Sequence, residues 1–500
     1  MTMLSNAPAP SRSLRVRRAA ALFAGVLATA LVAGACGDFN ITNPNQPTVD
    51  DLLNHPTRGK LAAAATGIFS ASRTDIQGLI WRMGSMGREG INLAGNNQPD
   101  YQEPYFGPLS PSGFGGALWF NEYSQIRNTN TYLTAAPKAT DIGADELAAS
   151  QGFARTMKAL AFLYIVQTRG ALGAPVDVDH DVTAAPAPFV SEDSVYGYAI
   201  SLLDSGLTNL QAGSGTFPFS IPTGFQAFST PATFTQFNRA LAAKAWVLRA
   251  TAGCGQPCFA NALTILTSGT TFLSEDPAAF GDGAYFDFSN AAGDAPNLLS
   301  ETLDGTTFFA DPFYFTAAQH QANDSLDERL RTKVAKATRV PPQSVGGVDI
   351  TGVYKFVNYF LNGQADQTAP IPIIRDEELI LLRAESKLGT GDAPGATTDL
   401  NLVHTNSGKL PALAGGLSAD SLLNDLLYER RFSLMWEQGT RWNDARRYGK
   451  LATIEPGVTG GVVPTIMPIP ETECSARGLG SGCTPLSPAA ALSRAFVKRR

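Results

Sequence analysis

Apolar positions recur with a helical period along most of the chain. Residues 57–72 form an alanine-rich block. Over 118–133, Leu118, Tyr123, Ile126, Asn130 and Leu133 fall roughly along one face. Residues 145–167 carry a longer stripe of Phe153, Met157, Leu160, Leu163 and Tyr164. The pattern predicts further helices over 191–210, 231–252, 259–267, 374–388, 395–405 and 418–438. The last has Ser418 at a plausible N-cap and Gly439 just past its end, residue types that start and stop helices.

Two blocks look like copies of one unit. Leu248-Arg249-Ala250 ends a helix, a glycine-containing turn follows, and a second helix begins at 260–266 before Ser268-Gly269. Leu382-Arg383-Ala384 again precedes a glycine-rich turn, then a helix over 396–403 and Ser407-Gly408. Tetratricopeptide-like pairs of this kind bury their apolar faces only by stacking on neighbours. The expected fold is therefore mostly α, with helix pairs forming a scaffold. Two long irregular stretches interrupt it, 84–116 and about 271–319. The first holds Asn92, Asn96, Asn97, Gln98, Asp100, Tyr101, Tyr105 and Phe106. The second holds aromatics from Phe272 and Tyr285 to Phe313, Tyr314 and Phe315. Long loops in a compact protein are functional or disordered, and this aromatic content argues for order and a ligand face.

The N-terminus reads differently. Arg12, Arg15, Arg17 and Arg18 precede about fifteen mostly apolar residues from Ala19 to Ala33, a signal-peptide length too short to span a bilayer. Ala33-Gly34-Ala35 then lead into Cys36, which resembles a lipobox with Ala33 where Leu is usual. The reading is a signal peptide over 1–35, a lipidated Cys36 with a polar tether over 36–56, and one domain over 57–500. An ordinary secretory signal with a chance cysteine is the alternative. Five cysteines are an odd number, and a lipidated Cys36 leaves two local pairs, Cys254 with Cys258 and Cys474 with Cys483. An exported protein favours disulfides there. Zinc is the rival, but the spacings suit it poorly and no histidine lies near.

Composition excludes several classes. The formal net charge is −6 and no basic stripe appears, which argues against nucleic acid. Only 16% of residues are charged, while Gly (48), Pro (32) and Phe (28) are plentiful, as in a folded protein with long ordered loops. The four histidines (His55, His180, His320, His404) are isolated in sequence, and no zincin, serine-hydrolase or P-loop pattern occurs. Asp177-Val178-Asp179-His180-Asp181 begins like a calcium loop, but Val182 and Pro188 stand where an EF-hand needs glycine and glutamate. No catalytic residue, cofactor or metal site is expected.

The most specific signature lies near the C-terminus. Glu429-Arg430-Arg431-Phe432 is followed by Glu437, Gly439, Arg441-Trp442, Asp444 and Arg446-Arg447. Such alternation also suits a solvated charged face. The pattern E-R-R-F…W-E-x-G-x-R-W-x-D-x-R-R closely resembles the C-terminal hallmark of SusD/RagB-family lipoproteins. Other segments resemble that family in order: Cys36-Gly37-Asp38-Phe39, Trp119-x3-Tyr123-x2-Ile126-x3-Asn130, 153–170 with Ala174-Pro175, 374–385, and Met467-Pro468-Ile469-Pro470.

The resemblance implies four tetratricopeptide-like pairs supporting a loop-rich ligand and partner half. It implies a non-enzymatic outer-membrane lipoprotein, anchored on the cell surface, that captures glycans or other nutrients for a TonB-dependent β-barrel transporter. By the same resemblance, ligand contacts fall on early and middle loops, first on Asn96, Asn97, Asp100, Tyr101 and Tyr105, then on Phe313 and Tyr314. Glu429, Arg430, Glu437, Arg441, Trp442 and Asp444 are expected to be scaffold or partner-contact residues, since arginine forks pair bidentately with carboxylates. The alternatives are a freestanding periplasmic solute-binding lipoprotein, which should show two α/β lobes, and a lipoprotein glycosidase.

Overall fold

The computed structural model describes residues 48–94, 98–181, 183–339, 342–345, 348–480 and 482–483. The signal segment, Cys36, the tether as far as residue 47, Asn96 and Asn97 lie outside them. The stretch read as tether is already folded at Thr48. Its hydroxyl caps the helix Val49–Asn54, which packs on Phe120–Ala135 with Leu52 buried.

The expected helices form with ends shifted by a few residues: Arg58–Ser72, Phe120–Ala135, Ala144–Arg169, Glu192–Ala212, Pro231–Arg249, Gln256–Thr267, Asp376–Thr390, Ala393–Asn406 and Ala419–Ser433. Local chemistry fixes their starts. The hydroxyls of Thr57, Ser191, Thr230 and Ser418 each accept an amide of the first turn, a group the helix itself leaves open. Among the described residues no helix is long and apolar enough to cross a membrane.

These helices pack in succession. Ala144–Arg169 lies on Glu192–Ala212, which lies on Pro231–Arg249, then Gln256–Thr267, then Asp376–Thr390, then Ala393–Asn406 and Ala419–Ser433. Gly152 permits the first of these crossings: a methyl there would lie 2.6 Å from Leu210 Cγ and 2.8 Å from the Gly206 carbonyl. Much of the phenylalanine goes into one cluster. The Phe153 ring lies 4.8 Å from both Phe69 and Phe219 and 5.9 Å from Phe234.

The two sequence copies, Pro231–Arg249 with Gln256–Thr267 and Asp376–Thr390 with Ala393–Asn406, stack on each other. Gly389 seats the Phe259 ring, which a methyl would meet at 2.2 Å. The arginine they share has two uses. Arg383 reaches Asp399 in its own pair at 2.7 Å, whereas Arg249 reaches back to Asp193 at 2.9 Å.

The irregular stretches contain more structure than expected. Gly90–Asn92 pairs with Phe308–Ala310, which pairs with Tyr354–Phe356 and onward to Val334–Lys336, all antiparallel. The early and middle stretches thus meet in one four-stranded sheet. The helices Ile76–Met86 and Gln98–Phe106 flank it in sequence. Three-residue strands, and a short helix with Pro104 inside it, carry too few positions to show a period.

The expected helix over 418–438 stops at Ser433. Trp436 then adopts φ +57° and Gly439 φ +61°. The cause is tertiary. The Trp436 ring stacks on Phe356 at 4.3 Å and lies so close to Gly84 and Gly90 that a methyl on either would sit 2.6–2.7 Å from it. Its amide donates to Glu89 at 2.9 Å and its carbonyl accepts from Tyr359 Oη at 2.6 Å.

Candidate functional site

The helix Ile76–Met86 presents Gly78 and Arg82 one turn apart, with its N-cap Asp75 on the same side. Arg82 folds back over Gly78, where a methyl would lie 2.7 Å from Nη1. The guanidinium sits 4.1 Å from the Trp81 ring and 5.8 Å from Phe114. Among the described residues it makes no hydrogen bond or ion pair, and its Nε is buried without an acceptor. Burial lowers its pKa, and the fields of Asp100 and Asp75 oppose that shift. Around it, Asn92 Nδ2 donates to Asp100 Oδ2 at 3.4 Å and Asn121 Nδ2 to Asp75 at 2.9 Å. Gln77 is held by the Pro296 carbonyl and the Leu298 amide. Phe120 and Leu298 are large apolar side chains left 50% and 56% exposed at this edge. The result is a half-buried arginine with open donors, backed by an indole and ringed by carboxylate, amide and exposed apolar surface.

The residues expected to meet ligand separate into groups. Asp100, in the first turn of Gln98–Phe106, is a buried carboxylate that accepts from Asn92 and acts on Arg82 through its field, and Asn96 and Asn97, just before that helix in sequence, lie outside the described residues. Tyr101, Tyr105 and Tyr314 are interior side chains, a correction to their expected place on an open face. Tyr105 carries the Arg88 guanidinium at 4.0 Å and Tyr314 carries Arg431 at 4.9 Å. Both are buried because an aromatic face screens a cation within the core. Phe313 is half-buried beside Tyr314. Arg82 was missed, and an isolated Trp-Arg inside an apolar helix gives no motif to find it by.

The C-terminal motif residues build an interior ion network. Glu429 accepts from Arg329 at 2.5 Å and meets His404 Nδ1 at 2.6 Å. Arg430 pairs with Asp444 at 2.6 Å, and Arg447 with Glu385 at 2.8 Å. Glu437 and Arg441, four residues apart, are not partners. Glu437 pairs with Arg375 at 2.9 Å, and Arg441 with Glu455 at 2.7 Å. Trp442 Nε1 donates to the Pro464 carbonyl at 2.6 Å, tying the motif to the chain before Met467-Pro468-Ile469-Pro470. Cys254 is bonded to Cys258 and Cys474 to Cys483, with Cα atoms 5.9 and 5.8 Å apart.

No family model and no curated protein matches this sequence. Solved structures do match it. A SusD superfamily protein from Bacteroides vulgatus superposes with a TM-score of 0.65 at 16% identity, covering 85% of this chain and 98% of that one. Another from Parabacteroides distasonis gives 0.62 at 15% identity, covering 83% and 98%. Surface glycan-binding protein A from Bacteroides thetaiotaomicron gives 0.63 at 16% identity, covering 85% and 99%. The chain has the SusD-superfamily fold.

On this SusD-like scaffold a second open surface runs along Gly283–Phe286. Three adjoining cavities of ≈ 460, 520 and 530 Å³ share Tyr285. Phe272, Gln226, Gln236 and Asp282 line the middle one. Two aromatics of the middle stretch, Phe272 and Tyr285, border this groove.

Proposed function

We propose that this protein is an outer-membrane nutrient-capture lipoprotein that binds glycans at the Arg82 site and delivers them to a TonB-dependent β-barrel transporter. One observation carries the reading: a partly accessible guanidinium, stacked on Trp81, has no hydrogen bond or ion pair among the described residues. Arginine forks suit vicinal sugar hydroxyls, amides and carboxylates complete a hydroxyl network, and exposed aromatic faces stack on sugar C–H surfaces. Asn121, whose side chain is exposed beside Asp75, and the half-exposed Phe120 supply such groups here. A neighbour in fold is a surface glycan-binding protein, which is consistent with this use of the scaffold.

In this reading acyl chains on Cys36 hold the mature protein at the cell surface, and the tether lets it move against the barrel while attached. Several buried acyl chains anchor stably, at about 0.8 kcal/mol per methylene. The buried C-terminal network keeps the partner-facing half rigid, and the binding cycle has no covalent step.

The test combines a glycan and peptide binding screen with affinity purification of the tagged full chain from its own membranes. The expected result is oligosaccharide binding weakened by Arg82→Ala, co-purification of a large β-barrel, and palmitate labelling lost in Cys36→Ser. Binding unaffected by Arg82→Ala but lost in Tyr285→Ala would move the site to the second groove. Oligosaccharide hydrolysis by the purified protein would overturn the non-enzymatic reading.

A further inference from the structure

The helices Ala419–Ser433 and Thr440–Arg447 meet at a corner where a cleft of ≈ 260 Å³ opens, bordered by Asn424, Tyr428, Arg431, Arg441, Lys450 and Glu455. The arginines around it differ in one respect. Arg430, Arg441 and Arg447 each hold a carboxylate, Asp444, Glu455 and Glu385 respectively. Arg431 holds none. Its Nε and Nη2 are buried with no hydrogen-bond partner among the described residues, and its guanidinium lies 4.9 Å above the Tyr314 ring, whose hydroxyl is likewise buried without a partner.

The carboxylates that approach Arg431 are committed elsewhere. Glu455 is bonded to Arg441 at 2.7 Å. The two oxygens of Glu89 accept the amides of Trp436 and Arg441 at 2.9 and 3.1 Å. Asp311 accepts the Phe313 amide at 2.9 Å. Lys450 adds a second cation to the same cleft. An arginine with no carboxylate of its own at the wall of a cleft, beside a second cation, leaves positive charge there for a counter-group.

We infer that this cleft is an oxyanion site that takes the carboxylate or sulfate group of an acidic saccharide, with Arg431 as principal donor and Lys450 as second cation. Nη1 of Arg431, the guanidinium nitrogen that is not buried without a partner, can donate a charge-assisted hydrogen bond to a carboxylate or sulfate oxygen, and the ammonium adds a mobile point charge. The volume lies below the roughly 300 Å³ at which drug-sized pockets begin, so it fits one charged ring and not a chain. The site uses helices other than the one carrying Arg82, and it stands whether or not the Arg82 reading holds.

The test is calorimetric titration of the full chain at low ionic strength with glucuronate, inorganic sulfate and neutral glucose, in an Arg82→Ala background that silences the other site. The expected result is saturable one-to-one binding of glucuronate, tighter than sulfate, with no glucose binding. Arg431→Met should weaken it about tenfold or more, the loss of one or two charge-assisted hydrogen bonds. Lys450 lies at the cleft rim, so Lys450→Met should keep the fold and still weaken binding several-fold. Absence of saturable glucuronate binding, or binding unchanged in both variants, overturns the site. Sulfate binding as tightly as glucuronate overturns the saccharide assignment in favour of a free inorganic anion.

Discussion

Arg375 and Glu437 form a two-point ion pair inside the protein, Nε to Oε2 at 2.9 Å and Nη2 to Oε1 at 3.1 Å. It joins the strand Ile371–Arg375, which leads into the second helix-pair copy, to the turn that ends the C-terminal helix. Arg375 also donates to the Ser433 carbonyl at 2.6 Å and pairs with Glu377. One guanidinium thus holds the point where the C-terminal helix stops. Arg375→Met should destabilise the fold by about 3–5 kcal/mol, because two buried carboxylates lose their main counter-ion. Urea unfolding measures this. Replacing Glu437 and Glu377 by Gln in the same variant should recover part of the loss.

Buried acids set opposing pH dependences. Burial pushes Glu89 and Asp376 up to about 7 each, against the hydrogen bonds from backbone amides that lower them. For Glu377, burial is the largest influence and raises it, but Arg375 and Lys333 outweigh burial and hold it at about 2. A raised pKa gives stability that is complete below the unfolded value and lost as pH rises through the folded one. A depressed pKa gives stability present above the unfolded value and lost as pH falls through the folded one. These groups therefore favour a stability maximum near pH 4–5, with decline toward pH 7 and toward pH 2. Each group contributes a slope of at most about 1.4 kcal/mol per pH unit. Urea titrations from acid to neutral pH should show Glu89→Gln flattening the neutral side alone.

Arg82→Ala should separate binding from stability. The side chain makes no hydrogen bond or ion pair among the described residues, so its removal should change folding stability by less than about 1 kcal/mol. Glycan affinity should fall roughly tenfold to a hundredfold, the loss of charged hydrogen bonds. Calorimetry with the best ligand of the screen, run beside thermal unfolding, checks both. A large stability loss with unchanged affinity would make Arg82 a packing residue.

The disulfides should stabilise unequally. Cys474 and Cys483 are nine residues apart, and Cys254 and Cys258 four. Chain-entropy arguments give about 2–3 kcal/mol for the longer loop and less for the shorter. Paired serine substitutions, compared by thermal unfolding with and without reductant, should rank Cys474→Ser/Cys483→Ser as the costlier change.

The scaffold was legible because long helices repeat their apolar face many times. Phe153, Met157, Leu160 and Leu163 announce their helix, and Ser418 marks a start by chemistry that acts within one turn. The shared Leu-Arg-Ala segments likewise pointed to two units that do stack. The site was less legible. Asp100, Tyr101, Tyr105 and Tyr314 come from loops rich in polar and aromatic residues, yet all four lie inside. Sequence does not say which tyrosine covers a buried arginine.

The sequence by itself determined the helices, the cap at Ser418, the cysteine pairs close enough to bond, and a C-terminal motif dense in charge. It determined these because each rests on spacings of a few residues. Only the tertiary structure decided that the C-terminal helix ends at Ser433 so that Trp436 can fill the space beside Gly84 and Gly90. It also decided that Glu437 takes Arg375 and not Arg441, and that Arg82 and Arg431 are left with open donors. Those outcomes depend on groups dozens to hundreds of residues apart, whose distances are set by how the layers pack and not by any local period.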